Sequence, residues 1–271
     1  MLPVLFKIGQ FEVHSYGLIL ILAFIAAYIF GRARAPRYGL TKDQVGDAFF
    51  WTLILGVLGA RIGFILQELP YYLEHTNELL SWKFQGLTSF GGLVAGFLAL
   101  LWMAKRFEVS TRNLLDLAGA PMLLGHAIGR VGCLLNGCCY GRRCDLPWGI
   151  PVRHQDGLFH PAQIYDSLMV LAGLWLLLLF EKRGLKPGQS VSLAIIFYSA
   201  SRFIYEFWRA GTRAEVDAGF ATSTYFDNIP LTEAQIFSVL CILVAGFFFW
   251  RYRKGNSSAV EPPEIEVPET P

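Results

Sequence analysis

The chain has little charge for its length. Asp, Glu, Lys and Arg make up 16% of its 271 residues, whereas hydrophobic residues make up 54% and the mean hydropathy is +0.43. So low a charge content excludes an ordinary soluble protein and is typical of an integral membrane protein. The sequence also lacks a P-loop and a dinucleotide-binding fingerprint, so it predicts no nucleotide and no nucleic-acid partner. Internal repeats are absent too, which weakens the case for a transporter built from duplicated halves.

Seven segments come close to the roughly 17 to 25 mostly apolar residues that a membrane span needs. They are residues 14–31, 46–67, 88–104, 114–136, 162–181, 190–209 and 233–251. With the N-terminus outside, the inner loops carry more Lys and Arg than the outer loops, as the positive-inside rule requires. The sequence therefore predicts an all-α membrane protein with about seven transmembrane helices, its N-terminus outside and its C-terminus cytoplasmic.

The spans and their connections are predicted to form a single polytopic membrane domain over residues 1–254. Two long outer loops, 68–87 and 141–160, are expected to form small periplasmic head elements over the outer leaflet. Residues 255–271 are rich in Pro and Glu and contain no aromatic side chain, which predicts a disordered cytoplasmic tail.

Three arginines, Arg61, Arg130 and Arg202, lie inside apolar segments, where each costs roughly 2.5–3.5 kcal/mol near the bilayer centre. Glu206 lies four residues after Arg202 on the same helical face, so an internal ion pair is one explanation for Arg202. The remaining acids of the spans lie near predicted ends: Asp47, Asp116 and Asp166. Two arginines are thus expected to lack an acidic partner. An anionic ligand would supply the missing charge, and a phospholipid head group is the obvious candidate because guanidinium binds phosphate through two hydrogen bonds.

Residues 125–141, GHAIGRVGCLLNGCCYG, combine several glycines with Arg130 and Asn136 at the outer end of the fourth span. Glycines permit sharp turns and close backbone approach, so the segment is interpreted as a binding turn. Helix packing through small residues is the alternative, but it does not account for Arg130 or Asn136. His126 lies four residues before Arg130 on the same face and is a candidate base, although a neutral histidine bonded to a carbonyl is the commoner case.

Four cysteines cluster near the outer surface: Cys133, Cys138, Cys139 and Cys144. Their spacing lacks the paired C-x-x-C pattern of common structural zinc sites, so the sequence predicts no metal and no cofactor. A disulfide among them is possible because the outer compartment is oxidising, but its connectivity cannot be read from the sequence.

Six short motifs follow one another along the chain. They are HSYGL at 14–18, LGARIG at 58–63, SFGGL at 89–93, GRVGCLLNG at 129–137, HPAQIYD at 160–166, and Tyr198 with RFIYEFWR at 202–209. In these motifs, and in the seven-span layout, the chain resembles the bacterial prolipoprotein diacylglyceryl transferases.

The resemblance implies an enzyme of the bacterial inner membrane that carries out the first step of lipoprotein maturation. It would move the diacylglyceryl group of phosphatidylglycerol onto the lipobox cysteine thiol in the signal peptide of a prolipoprotein, making a thioether and releasing glycerol phosphate. Its partners would be phosphatidylglycerol, prolipoprotein signal peptides and membrane lipids.

The resemblance and the residue analysis together give two sets of candidate site residues. The catalytic set, in which His126 rests on helical spacing alone, is Tyr16, His126, Arg130, Asn136, Arg202 and Glu206. The phosphatidylglycerol-binding set is Arg61, Gly91, Gly92, Arg130, Gly141, Tyr198 and Arg202, and Arg209 is a further candidate. In this hypothesis the arginines stabilise the charge that grows on the departing phosphate.

Three positions depart from the family motifs: Phe90 replaces a histidine, Cys133 an asparagine and Cys138 a glutamate. The histidine was a candidate general base, so its absence leaves His126 or the field of the arginines to favour the thiolate. The departures are also compatible with a divergent branch that has another acceptor or no activity. The competing interpretation is a lipid-binding or transporter-like membrane protein without transferase activity.

Overall fold

The structure, a computed structural model, describes residues 4–8, 11–78, 86–152, 155–209, 225 and 231–254. The predicted tail at 255–271 and part of the outer loop at 68–87 lie outside these residues. The elements, in chain order, are β1 (Val4–Ile8), β2 (Phe11–His14), α1 (Ser15–Arg34), a 3₁₀ helix (Ala35–Tyr38), α2 (Lys42–Gln67), α3 (Leu69–Glu74), a second 3₁₀ helix (Thr76–Glu78), α4 (Ser89–Arg106), α5 (Thr111–Asn136), β3 (Ile150–Pro151), β4 (Leu158–Phe159), α6 (Ala162–Lys182), α7 (Gln189–Arg209) and α8 (Glu233–Lys254).

Seven of these helices occupy the positions of the seven predicted spans. Five are long and apolar enough to cross a membrane by length and composition: α1 with its 3₁₀ extension, α2, α5, α6 and α8. The helices α4 and α7 fall outside that group because α4 is short and ends in Lys105-Arg106, while α7 carries several serines and charged residues. The prediction of an all-α membrane protein is confirmed, with two short antiparallel hairpins, β1–β2 and β3–β4, added to the helices.

The long helices expose many large apolar side chains. Ile21, Leu66, Trp175 and Leu243 are 57–65% exposed, and each lies on a different helix. A soluble monomer rarely leaves such side chains in contact with water over so wide a surface, whereas lipid tails cover them without cost. The outer surface of the helices therefore agrees with the membrane assignment.

The chain divides into two compact units, one made of Met1–Gly31 and Asp116–Pro271 and the other of Arg32–Leu115. In the first unit α5, α6 and α7 share a buried core. Its members are Ala120, Leu123, Ala127, Val170, Leu174, Leu177, Leu193 and Ala194. Small residues bring the helices close: a Cβ at Gly119 would lie 2.9 Å from the Cβ of Ala194. This close packing fixes the faces of α5, α6 and α7 that carry polar side chains.

A buried carboxylate joins two helices of the same unit. Asp116 on α5 accepts hydrogen bonds from the backbone N–H groups of Gly188 (2.6 Å) and Val191 (2.7 Å) at the start of α7. The first N–H groups of a helix have no partner within it, and a negative charge there is stabilising. Asp116 thus has a structural role as a cap of α7.

In the second unit α2 packs against α4 through glycines on both helices. A Cβ at Gly59 would overlap the Cβ of Ala95 and lie 2.7 Å from the carbonyl oxygen of Gly91. Gly92 likewise approaches the backbone of Gly56. The SFGGL and LGARIG motifs therefore form a helix-packing contact, and the predicted lipid-binding role of Gly91 and Gly92 stays a prediction.

We expect Gly59→Ala to destabilise the protein because the added methyl group has no space between α2 and α4. Overpacking of this kind costs about 1–3 kcal/mol. Thermal unfolding in detergent should show a lower midpoint for Gly59→Ala. The matched control is Gly246→Ala on α8, where a Cβ would meet no atom within 4 Å. An equal midpoint for the two variants would contradict the packing contact.

Candidate active site

The polar centre of the first unit is the carboxylate of Asp166 on α6, whose side chain is 1% exposed. Its Oδ2 accepts a hydrogen bond from Nε of Arg130 at 2.5 Å and lies 2.9 Å from Nε2 of His126. Its Oδ1 accepts a hydrogen bond from the hydroxyl of Ser201 at 2.9 Å. One carboxylate on α6 thus joins two side chains of α5 and one of α7. A buried charge is tolerated only with such partners.

The ion pair between Asp166 and Arg130 corrects the expectation that Arg130 lacks an acidic partner. That expectation treated Asp166 as a residue near the end of a span, but the structure buries it against α5 and α7. The loop after α5 lies against this end of α6, because a Cβ at Gly141 would lie 3.3 Å from the Cβ of Ala162 and Nε1 of Trp148 donates to the hydroxyl of Tyr165. Charge neutralisation of Arg130 therefore does not by itself require an anionic ligand.

His126 is oriented by the same carboxylate. Its Nε2 lies 2.9 Å from Asp166 and 3.3 Å from Nε of Arg130, and one ring nitrogen cannot both donate to the first and accept from the second. The charged carboxylate is the stronger partner and favours Nε2–H, which leaves Nδ1 unprotonated in the neutral ring. The ring of Tyr198 packs edge-on against His126 with centroids 5.0 Å apart. The predicted proximity of His126 and Arg130 is therefore present, and Tyr198 joins them.

A buried aromatic ring holds two guanidinium groups. Arg130 on α5 and Arg202 on α7 each place Cζ 5.0 Å from the ring centroid of Tyr205, which is 1% exposed. Stacking on an aromatic face stabilises a desolvated guanidinium by about 2 kcal/mol. The two arginines therefore share one platform although they belong to different helices.

Glu206 forms the second acidic centre. It pairs with Arg202, as the four-residue spacing predicts, and its Oε1 accepts a hydrogen bond from Nη1 of Arg209 at 3.3 Å. Glu206 is 1% exposed, while the two arginine side chains are 23% and 32% exposed. The carboxylate thus orients both guanidinium groups and leaves part of each accessible.

The polar cluster has a positive balance. Arg130, Arg202 and Arg209 contribute three positive charges, and Asp166 and Glu206 contribute two negative charges, so one positive charge remains when His126 is neutral. In surroundings of low dielectric constant a net charge attracts a counter-ion more strongly than it does in water. The cluster can therefore bind an anion, and three guanidinium groups suit a phosphate.

The loop after α5 lies directly against this cluster. Gly141 N–H donates to the carbonyl of His160 (2.9 Å), and Arg142 N–H donates to the carbonyl of Trp208 on α7 (2.8 Å). A Cβ at Gly141 would lie 2.5 Å from the carbonyl oxygen of Trp208, so a side chain has no space there. Burial, with a smaller contribution from Arg142, lowers the pKa of His160. The close approach of this loop to α7 thus requires a glycine at position 141, and the predicted lipid-binding role of Gly141 stays a prediction.

The other predicted residues of the first unit lie around the end of α5. Tyr16 packs on Gly132, where a Cβ would lie 3.4 Å from its Cδ2, and the Tyr16 side chain is exposed. Asn136 is the last residue of α5 and is exposed. The structure therefore places Tyr16 beside the last turns of α5 and Asn136 at the end of that helix.

Arg61 belongs to the second unit. Its Nη1 donates to the carbonyl of Gly86 at 3.4 Å, and its guanidinium lies 5.9 Å and 5.5 Å from the ring centroids of Phe64 and Tyr72. Phe90, which replaces the family histidine, is 67% exposed. These contacts stabilise Arg61 within its own unit.

Comparison with known proteins agrees with the motifs. The sequence profile described as "Prolipoprotein diacylglyceryl transferase" matches residues 3–251. The chain belongs to the prolipoprotein diacylglyceryl transferase family. It is 38% identical to the phosphatidylglycerol–prolipoprotein diacylglyceryl transferase of Geobacter sulfurreducens over 76% of this chain and 82% of that protein. It is 28% identical to the Clostridium tetani protein of the same name over 94% of this chain and the whole of that protein. The Nitrosomonas europaea protein of that name is 32% identical over 93% and 90%.

Three residues of the cluster were missed by sequence reasoning in this member of the family: Asp166, Ser201 and Tyr205. Asp166 ends the HPAQIYD motif, and Tyr205 lies one turn after Arg202, so both stood inside motifs already singled out. Helical spacing relates residues of one helix only. It cannot show that α6 brings a carboxylate between His126 and Arg130 of α5.

We expect Asp166→Asn to lower the free energy of unfolding by about 3–5 kcal/mol, because it leaves Arg130 buried without its counter-ion. The double variant Asp166→Asn/Arg130→Met should lose less than the sum of the two single variants, since it removes both charges. Denaturant unfolding of the four proteins in detergent measures this coupling. Additive losses would contradict the ion pair.

Proposed function

We propose that this protein transfers the diacylglyceryl group from phosphatidylglycerol to the lipobox cysteine thiol of prolipoproteins, the first step of lipoprotein maturation. Membership of the family and the names of its curated relatives support the reaction. The structural observation that carries the proposal is the cluster of Arg130, Arg202 and Arg209 around Tyr205, which retains one positive charge in excess of Asp166 and Glu206. The phosphate of phosphatidylglycerol supplies the complementary charge.

In this mechanism the acceptor thiolate attacks the glycerol carbon that bears the phosphate ester. The C–S bond forms, the C–O bond breaks, and the electron pair stays on the phosphate oxygen of the departing glycerol phosphate. Negative charge grows on that phosphate in the transition state, and guanidinium groups held in a fixed arrangement stabilise it. Asp166 holds Arg130 in place, and Glu206 holds Arg202 and Arg209.

The acceptor thiol must lose a proton, since its ordinary pKa is about 8.5 and the thiolate is the nucleophile. His126 is the proposed base within the arginine cluster because Asp166 orients its ring and leaves Nδ1 unprotonated. A carboxylate behind an imidazole also stabilises the imidazolium that forms. The positive field of the arginines is the second proposed source of the thiolate.

Arg130 and Arg202 should not tolerate replacement by lysine, because the point charge of an ammonium group does not reproduce the planar donor pair of a guanidinium. Purified protein with phosphatidylglycerol and a lipobox peptide should add a diacylglyceryl mass to the peptide cysteine and release glycerol phosphate. Arg130→Lys and Arg202→Lys should each lower the turnover about 10²–10³-fold, the usual effect of removing one transition-state donor. Mass spectrometry of the peptide measures the rate.

The matched control for these variants is Arg183→Lys, whose guanidinium stacks on Phe180 at the end of α6. Arg183→Lys should keep full turnover. A peptide with Ser in place of the acceptor Cys should gain no mass when it is incubated with the unaltered protein. Near-normal turnover of Arg130→Lys would contradict the assigned role. Retained phosphatidylglycerol with no modified peptide would favour a lipid-binding protein instead.

We further propose that α4 and α7 also cross the membrane, which gives seven spans, an external N-terminus and a cytoplasmic C-terminus in the bacterial inner membrane. The buried serines and charges of α7 support this, because they face α5 and α6 and are covered by protein. The head elements, α3 and the β3–β4 hairpin, would then lie on the periplasmic side.

Alkaline phosphatase fusions that flank α7 test the topology. A fusion after Gly184 should be inactive because it stays in the cytoplasm, and a fusion after Gly219 should be active because it is exported. Enzyme activity in intact cells is the measurement, with both fusion levels compared by immunoblot. Equal activity of the two fusions would exclude α7 as a span.

A further inference from the structure

Three thiols meet at the end of α5. The Sγ atoms of Cys133, Cys138 and Cys139 all lie within 4.8 Å of one another, and all three cysteines are free of disulfides. Three thiolates around one Zn²⁺ ion, with Zn–S bonds of about 2.3 Å, need sulfurs about 3.8 Å apart. Side-chain rotations that bring the sulfurs closer by up to about 1 Å would therefore close the group around a metal. Among the described residues the group has three ligands and no fourth.

The backbone after α5 is shaped to bring these thiols together. Gly137 has a φ of 78°, and the N–H groups of Gly137 and Cys138 both donate to the carbonyl of Cys133, so the chain folds back on the last turn of α5. Cys139 has a φ of 60°, which is strained for a residue with a Cβ. A strained backbone of this kind persists where the surrounding structure fixes it, and it concentrates at functional sites.

Two buried side chains fix that strained turn. Gln163 on α6, which is fully buried, donates from Nε2 to the carbonyl of Cys138 at 2.6 Å. Tyr205 on α7 donates its hydroxyl to the carbonyl of Cys139 at 3.3 Å. Tyr205 is also the ring on which Arg130 and Arg202 stack. The thiol group is thus joined directly to the arginine cluster.

We propose that Cys133, Cys138 and Cys139 bind a zinc ion whose fourth position accepts the thiol of the prolipoprotein. Thiolate ligands select thiophilic ions such as Zn²⁺, and three protein ligands with an open position are typical of a catalytic rather than a structural zinc site. Cys139 is exposed, so the open position is accessible from outside the bundle. This proposal rests on the proposed transferase function and replaces the sequence-based prediction of no metal.

The bound metal would supply the thiolate in place of His126 and the arginine field. A thiol that coordinates Zn²⁺ is deprotonated outright, and its proton passes to the solvent. The sulfur then attacks the glycerol carbon, the C–S bond forms, and the phosphate oxygen leaves with the electron pair towards Arg130 and Arg202. The thioether product is a neutral, weaker ligand and dissociates. Two of the three departures from the family motifs, Cys133 and Cys138, lie in this group, and the third, Phe90, removes a candidate base.

Metal content tests the site without reference to activity. Protein purified with a phosphine reductant, equilibrated with Zn²⁺ and desalted should retain one zinc per chain by mass spectrometry of the metal. Cys138→Ser and Cys139→Ser should retain at least tenfold less. The matched control is Cys241→Ser on α8, which should retain the same amount as the unaltered protein. Replacement by Cd²⁺ should add a thiolate charge-transfer band in the unaltered protein and the control alone.

The pH profile tests the role of the metal. At pH 7 a thiol of pKa about 8.5 is roughly 3% thiolate, so chelation of zinc, or Cys138→Ser, should slow transfer to the lipobox peptide about 30-fold. At pH 9.5 the free thiol ionises by itself, and the loss should shrink to a few-fold. A merely structural defect would lower the rate equally at both pH values. Added Zn²⁺ should restore the chelated protein but not the variant.

Three further results would separate the metal site, its role in forming the thiolate, and the transferase activity. No zinc in the reduced protein, or a disulfide within the group, would overturn the metal site. Zinc binding with transfer that is unaffected by chelation would overturn its role in forming the thiolate. Zinc binding with no transfer by any variant at any pH would overturn the proposed transferase and leave the metal site established.

Discussion

The burial of the Asp166 carboxylate is the constraint on which the polar interior depends. A carboxylate with 1% exposure is stable only when other groups compensate its charge, and Arg130, His126 and Ser201 do so from two neighbouring helices. The same contacts fix the rotamer of Arg130 and the tautomer of His126. Without Asp166, Arg130 and His126 would lose the carboxylate that orients both side chains.

The polar cluster of the first unit contains two acidic centres that hold three arginines. Asp166 holds Arg130, and Glu206 holds Arg202 and Arg209. This arrangement reduces the cost of guanidinium groups in an apolar bundle and still leaves a positive excess for a phosphate. Small residues at helix contacts, and the absence of space at Gly141, bring the backbone of the outer loop against the same cluster. Stability and binding thus depend on the same side chains.

Helical periodicity predicted those parts of the site that lie on one helix. The pair of Arg202 with Glu206 and the proximity of His126 to Arg130 follow from four-residue spacing, and both are present. The same reasoning failed for Asp166, because a position along the chain does not reveal which loop covers the end of a span. It also could not bring Cys133 to Cys138 and Cys139, since that contact needs the left-handed turn at Gly137.

The sequence by itself determined that this is a helical membrane protein of the prolipoprotein diacylglyceryl transferase family, because apolar runs and short motifs are local properties of the chain. The tertiary structure alone decided which charges meet. Partners such as Asp166 and Arg130 are 36 residues apart, and their contact exists only because α5 and α6 pack through a common core. Helix packing brings a buried charge into contact with its partner, and no local pattern in the sequence predicts a contact between residues so far apart along the chain.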